Sequence, residues 1–512
     1  MDKKRLTINM VLTLVSFLVN MGISFFLTPY ILKTVGKEAY GFVGLANDFV
    51  SYAQLVVIAL NSMASRFITI RLYKNDIEGA NCYFTSTLFA DIFLSVLMFI
   101  PSIFIILFLD KLVNVPKNIL GDVKLLWIFV FANFIIGIIT AVFGVAQFAK
   151  NRLDISARIS LITNILRAII IFISFSFFKA SVWYIGLAAF LCAIFSTISD
   201  IYYLNKLLPE ININKIYFKL KCVKELISAG IWNAIGSLNA ILMTGVDLLI
   251  SNIFIDAASM GLLSIVKVVP NFLNNFSSSI VSVFVPQITI DYAKSDKNKL
   301  IKSIESSIMI ICFFTSIPIG IFITSCDVFY KFWLKKGYDF NYLKILVVVS
   351  TIGMFISASM NIFNNVLAAA NKVKFNSIIA ILSGILNVII VFILLKTTSL
   401  GLIAIAGTST IIATIRSLMV TPAYVSKVLK CRWNIFYPII FRNIVSVLIS
   451  IVIGYIIINK IFIPYTWIQY ILACIICSII CYLLYLTILL KADEKKVIKD
   501  ILKKVLRIWR KK

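Results

Sequence analysis

Residues 146–173 read AQFAKNRLDISARISLITNILRAIIIFI, and residues 366–393 read VLAAANKVKFNSIIAILSGILNVIIVFI. Aligned without gaps at an offset of 220, nine of the 28 positions are identical, among them Asn151 with Asn371, Ile165 with Ile385, Leu166 with Leu386 and Phe172 with Phe392. Isoleucine-rich segments share about 3 or 4 by composition alone. The same offset pairs Gly41 with Gly261, Lys74 with Lys294 and Asp76 with Asp296, and Gly186 meets Gly401 after a five-residue slip in a loop. One offset serving distant segments points to a duplicated unit.

Each copy is a short polar turn running into an apolar stretch long enough to span a bilayer, which takes about 20 residues. Working outward, fourteen such runs appear: 7–32, 41–64, 83–109, 124–148, 155–178, 182–204, 226–255, 261–290, 304–326, 342–369, 375–396, 399–425, 437–459 and 465–490. The first is too long for the apolar core of a signal peptide and reads as a retained helix. Composition agrees. Of 512 residues 61% are hydrophobic and 14% charged, with a mean hydropathy of +1.00. Soluble chains are about half apolar and about a quarter charged, so too little polar material is present to coat soluble cores. This excludes a soluble enzyme, a disordered chain and a fibre. The expected fold is all-α and polytopic.

The chain has no histidine, which excludes Ser-His-Asp and Cys-His catalysis and His-ligated zinc. Cys474, Cys477 and Cys481 share a helix face; packing accounts for them better than a metal. No Walker A motif is present, so no ATP drive is encoded, and no cofactor is expected.

The net charge is +27. On a soluble protein this would point to nucleic acid; on a membrane protein it reports orientation. With the N-terminus in the cytoplasm, 34 of the 49 Lys and Arg fall on the inner face, 12 on the outer loops, and Arg167, Lys267 and Arg416 inside spans. Both termini are therefore expected inside, and the heavy use of Ile, Asn and Lys points to an AT-rich bacterium and so to a bacterial cytoplasmic membrane. The expected organisation is an N-lobe over 1–204 (spans 1–6), a cytoplasmic linker over 205–224 and a C-lobe over 225–425 (spans 7–12). Spans 13 and 14 occupy 426–490, and a basic amphipathic tail occupies 491–512. Six spans per copy keep the two lobes parallel, with a pseudo-two-fold axis along the membrane normal and a substrate path between them. The tail carries ten cations among apolar residues and reads as an interfacial helix attracted to anionic lipid.

Three segments carry a family resemblance. Tyr30–Phe42 reads YILKTVGKEAYGF, Ala146–Phe172 has its short basic turn, and Val366–Leu395 is followed by TSLGLIAIAG at Thr398–Gly407. In these the chain resembles the polysaccharide transporters, or lipid-linked oligosaccharide flippases, of the multidrug/oligosaccharidyl-lipid/polysaccharide exporter superfamily. The resemblance implies a two-lobed exporter working by alternating access. Its cargo would be a polyprenyl-diphosphate-linked oligosaccharide flipped to the outer leaflet. The two spans beyond twelve fit this branch better than the multidrug branch. H⁺ or Na⁺ as coupling ion and polysaccharide assembly proteins as partners stay open.

The residues themselves supply candidates, because a charge inside a span needs a partner or a wet cavity. Asp48, Asp247 and Lys267 lie at similar depth below the outer face. They either line a central cavity, with Lys267 binding phosphate, or Asp247 and Lys267 form a static pair, or they snorkel at the lipid edge. Arg167 and Arg416 sit near mid-span, where the guanidinium fork suits phosphate or backbone carbonyls. Arg66 closes the second span at the inner face, to meet a diphosphate or a lipid headgroup. Asn271, Asn274 and Asn275 in the eighth span and Asn361 in the tenth suit sugar hydroxyls or interhelical hydrogen bonds. Asp48 and Asp247 keep a cation-coupled multidrug exporter of the same fold in play. A membrane-embedded glycosyltransferase is disfavoured, because the short loops hold no paired carboxylates. A structural scaffold is disfavoured by the duplication and the buried charges.

Overall fold

The computed structural model describes residues 3–293, 297–334, 337–370 and 372–490, and every regular element among them is helical. In order these are α1 (Lys3–Tyr73), α2 (Ile77–Leu107), α3 (Leu109–Leu112), α4 (Leu120–Thr140), α5 (Val145–Ala149), α6 (Leu153–Phe177) and α7 (Trp183–Leu207). Then come α8 (Leu220–Ala240), α9 (Asp247–Phe254), α10 (Ala257–Ala293), α11 (Lys297–Leu334), α12 (Phe340–Thr351) and α13 (Met354–Ala369). The last are α14 (Val373–Thr397), α15 (Leu402–Ile415), α16 (Thr421–Val428), α17 (Tyr437–Ile456) and α18 (Trp467–Leu484).

Twelve helical stretches among the described residues are long and apolar enough to cross a membrane. One of them, Val15–Tyr73, has 59 residues, or about 88 Å at ~1.5 Å per residue, more than twice a bilayer core of about 30 Å. It turns at Gly36 (φ 85°, ψ 165°), the one residue of α1 outside helical geometry, and so supplies the first two spans. The tenth sequence run is divided differently. Its two helices, α12 and α13, have 12 and 16 residues and meet at Ile352–Gly353, each alone too short to cross. Each of the fourteen runs thus coincides with helix.

Local chemistry sets the boundaries. The Asp76 carboxylate accepts the Gly79 N–H at 2.8 Å and caps α2. Asp339 accepts from Asn341 and Tyr342 to cap α12, and Thr466 accepts from Gln469 to cap α18. Asn151, in the quoted repeat, takes φ 53° between α5 and α6; asparagine enters this left-handed region at low cost.

The chain forms two compact units, Met1–Ile265 and Val266–Lys512. In the first, α1 packs on α2, α6 and α8, while α4 packs on α7. Its core holds Leu60, Ile68, Phe84 and Leu226, and the Trp127 ring meets that of Phe49 tilted, with centroids 4.9 Å apart. Small residues permit the closest crossings. A Cβ at Gly230 of α8 would collide with the Ala59 carbonyl of α1, and one at Gly41 would lie 2.9 Å from the Gly261 Cα. Positions related by the 220-residue offset therefore meet at a helix crossing.

In the second unit α11 is the central element, lined on most sides by α12, α13, α17 and α18. Ser316 bonds Ser446 of α17 at 3.0 Å, and Ser325 bonds Tyr470 of α18 at 3.0 Å. Cys477 and Cys481 are buried in this core, with Cys474 at its edge, in keeping with packing. The tail expected to bind anionic lipid, 491–512, lies outside the described residues.

Candidate functional site

The first unit gathers two of the candidate charges around one tyrosine. A π-helical turn over Ile241–Gly245 interrupts the seventh span immediately before α9, with the Val246 N–H reaching back to Ile241. Such a turn displaces backbone bonding and is found often at functional sites. Here Tyr52 of α1 donates its hydroxyl to the Gly245 carbonyl at 2.7 Å. Asp247 follows two residues later in the first turn of α9, 2% exposed, where the positive end of the helix dipole favours a carboxylate. Asp48 is half-buried one turn before Tyr52. Tyr52, one turn after Asp48 and bonded to the carbonyl two residues before Asp247, therefore brings the two carboxylates into one neighbourhood. The sequence reading did not single out Tyr52; the signal was a phenol one turn from an in-span aspartate, which needs a buried hydrogen-bond partner.

Arg167 belongs to a separate cluster. It is half-buried on α6, and its Nε is enclosed without a hydrogen bond among the described residues. Tyr40 of α1 and Cys192 of α7 are its neighbours. Arg66 is exposed on α1, eighteen residues after Asp48. At ~1.5 Å per residue that separation is about 27 Å, nearly the bilayer core. One phosphate headgroup cannot touch both.

Two further polar pairs lie in this unit: Asp91, an in-span charge that the sequence already marks as needing a partner or a wet cavity, has one, and Asp200, which the sequence reading did not single out, has another. Asp91 accepts from Asn61 at 2.8 Å, and Asp200 accepts from Gln147 at 2.9 Å. Both tie neighbouring helices within the first unit. Asp200 was missed because it lies near the end of its apolar run, where a charge raises no alarm.

In the second unit, Lys267 is half-buried near the start of the unit's share of α10, before the buried Pro270. Asn271, Asn274 and Asn275 are exposed, as are Ser278, Ser279 and Ser282. At a spacing of three and four residues these form one polar face. The buried Ser277 on the other side bonds its own helix at Leu273. Asn361 is half-buried on α13, and the exposed Asn364 accepts from Asn376 of α14 at 3.0 Å. Arg416 is half-buried at the first position of a second π-helical turn, Arg416–Val420. Two of the in-span candidates, Asp247 and Arg416, thus stand at π turns. Among the described residues, no three His, Cys, Asp or Glu side chains gather to hold a metal ion.

Residues 6–290 match the family model described as polysaccharide biosynthesis protein. A Bacillus subtilis (strain 168) relative, described as uncharacterized membrane protein EpsK, is 28% identical over 432 residues, covering 84% of this chain and 85% of that protein. The lipid II flippase MurJ in an inward closed conformation superposes with a TM-score of 0.67 at 17% identity, over 93% of this chain and 97% of that one. An inward-facing multidrug resistance MATE family transporter of the MOP superfamily gives 0.65 at 15% identity, over 83% and 98%. The fold is therefore that of the MOP-superfamily transporters, carried by a multi-pass membrane protein. With a family match over more than half of its length, the chain belongs to the polysaccharide biosynthesis protein family.

Proposed function

We propose that the protein is a flippase. It moves a polyprenyl-diphosphate-linked oligosaccharide, the repeat unit of a surface polysaccharide, from the cytoplasmic to the outer leaflet by alternating access. Family membership carries this reading. The exposed polar face of α10 supports it, because Asn and Ser side chains on an otherwise apolar span suit sugar hydroxyls better than lipid tails. In this proposal Arg66 receives the diphosphate at the cytoplasmic mouth. Lys267, Arg167 and Arg416 offer phosphate contacts along the way, and Asn271, Asn274, Asn275 and Asn361 contact sugar. The duplicated lobes over 1–204 and 225–425, the cytoplasmic termini and the bacterial cytoplasmic membrane belong to the same proposal.

Proteoliposomes loaded with a fluorescent polyprenyl-diphosphate oligosaccharide test it. The expected result is protein-dependent exposure of the glycan to an external, membrane-impermeant reagent. Arg66→Glu and Lys267→Glu should each slow it by about tenfold to a hundredfold, the worth of a charge-assisted hydrogen bond of ~1.5–3 kcal/mol. A protein that translocates no lipid-linked glycan but exports dye down a cation gradient would overturn the reading.

That outcome is the second reading, a cation-coupled multidrug exporter. The two carboxylates beside Tyr52 favour it, since paired acids near one hydroxyl can bind H⁺ or Na⁺. It predicts that Asp48→Asn and Asp247→Asn abolish the ion dependence of export.

A further inference from the structure

The linker between α7 and α8 carries a feature that the transport reading does not use. Its backbone is tied to α2 at two places. Asn81 bonds the Glu210 carbonyl and accepts the Asn212 N–H at 3.0 Å, and Ser86 accepts the Lys219 N–H at 2.9 Å. Held this way, the linker leaves apolar side chains standing outward: Ile216 is 80% exposed and Leu220 58%, with Ile213 and Phe218 also exposed. Lys215, Lys219, Lys221 and Lys224 alternate with them, and these four ammonium groups make no ion pair among the described residues. Exposed aliphatic and aromatic groups interleaved with lysine are the composition of a segment lying in a membrane interface.

Beneath the linker lies an apolar groove of about 590 Å³. Leu60, Phe89, Phe93, Phe218 and Ile227 line it, and Lys215 stands at its rim. Phe93 is 67% exposed, so the groove opens sideways, and the rings of Phe89 and Phe218 meet edge-on with centroids 5.9 Å apart. Beside it, Lys221 and Lys224 line a second, more polar hollow with Glu225, whose carboxylate already accepts the Tyr83 hydroxyl. An apolar slot lined by Lys215, with Lys221 and Lys224 on the adjoining hollow, is complementary to an amphiphile with an anionic head.

We propose that this groove is a binding site for an anionic glycerophospholipid of the surrounding bilayer, one acyl chain lying along Phe89 and Phe93 and the phosphate resting on Lys215, Lys219 and Lys221. The groove falls in the volume range of ~300–1,000 Å³ that encloses a drug-sized ligand. That accommodates one acyl chain, and because the groove opens sideways it is competition by polyprenyl phosphate, not volume, that distinguishes this lipid from the cargo. The site stands independently of the flippase reading.

The test uses the full-length protein in phosphatidylcholine nanodiscs doped with phosphatidylglycerol that carries a photoactivatable group in one acyl chain. Adducts are mapped by peptide mass spectrometry. Labelling is expected on the peptides holding Phe89–Leu94 and Phe218–Ile227. A zwitterionic probe with the same chain should label these peptides at least tenfold less. Lys215→Glu, Lys219→Glu and Lys221→Glu should each reduce labelling about fivefold, the weight of one cation near an anionic surface. Ala90 also lines the groove, so Ala90→Trp should fill it and remove labelling with the lysines intact. The surface lysine changes leave the core untouched, so an unchanged thermal midpoint separates loss of the site from loss of the fold. Equal labelling by the zwitterionic probe, indifference to the lysine changes, or displacement by polyprenyl phosphate but not by unlabelled phosphatidylglycerol would each overturn the proposal.

Discussion

Gly36 interrupts α1 with φ 85° and ψ 165°, a conformation that side-chain-bearing residues adopt only at about 1–3 kcal/mol. The YILKTVGKEAYGF segment was legible as a turn between two spans; that a single residue makes the turn was not. Gly230 acts by space instead. A side chain there meets the Ala59 carbonyl of α1, so Gly230→Leu is expected to cost about 1–3 kcal/mol of packing, read as a lower unfolding midpoint in detergent. Asp76 acts by charge. The Gly79 N–H first, and the Arg71 guanidinium second, hold its carboxyl below the usual aspartate value. A depressed folded-state value means that the cap stabilises α2 above the unfolded-state value of ~3.9 and is lost as pH falls through the lower folded value. Amide exchange at Glu78–Ala80 should therefore rise below about pH 4, and Asp76→Asn should flatten that pH dependence.

Among the elements, α10 shows where periodicity stops being enough. Its asparagines and serines were visible as a cluster in the sequence, and the helical spacing alone predicts a polar face. Whether that face meets water or a neighbouring helix depends on what packs beside it. The exposed positions Asn275, Ser278 and Ser282 contrast with the buried Ser277. Single cysteines at 275, 278 and 282, in a background without the native cysteines, are expected to react with a membrane-impermeant maleimide. A cysteine at Ile389, exposed on the apolar α14, should not. Equal protection at all four sites would remove the wet face. The π turns before Asp247 and at Arg416 were not legible at all, because an inserted residue in a helix leaves no mark in composition.

At the scale of the molecule, spans 13 and 14 read as additions outside the duplicated helices. The structure makes them part of the second unit's core: α17 and α18 pack on α11 through small and hydroxyl-bearing residues. Without a hydrophobic drive between helices in lipid, such close backbone approach supplies the association. A Cβ at Gly320 of α11 would lie 2.6 Å from the Ser450 Cβ of α17. Gly320→Leu is thus expected to lower the thermal midpoint through about 1–3 kcal/mol of overpacking, and to raise protease sensitivity within 437–490. Retained stability would mean that α17 is held from elsewhere.

The amino-acid sequence by itself determined the all-helical class, the fourteen apolar runs and the basic bias of alternate loops. Each of these follows from local requirements: in lipid every backbone group must bond within its own helix, and the charge of a loop belongs to its own residues. Only the tertiary structure decided which polar residues keep company. It set Tyr52 beside Asp48 and Asp247, put Arg167 with Tyr40, and joined the last two spans to α11. Those pairings depend on how helices rotate and cross, and rotation is set by the shapes of side chains hundreds of residues apart, which no window along the chain contains.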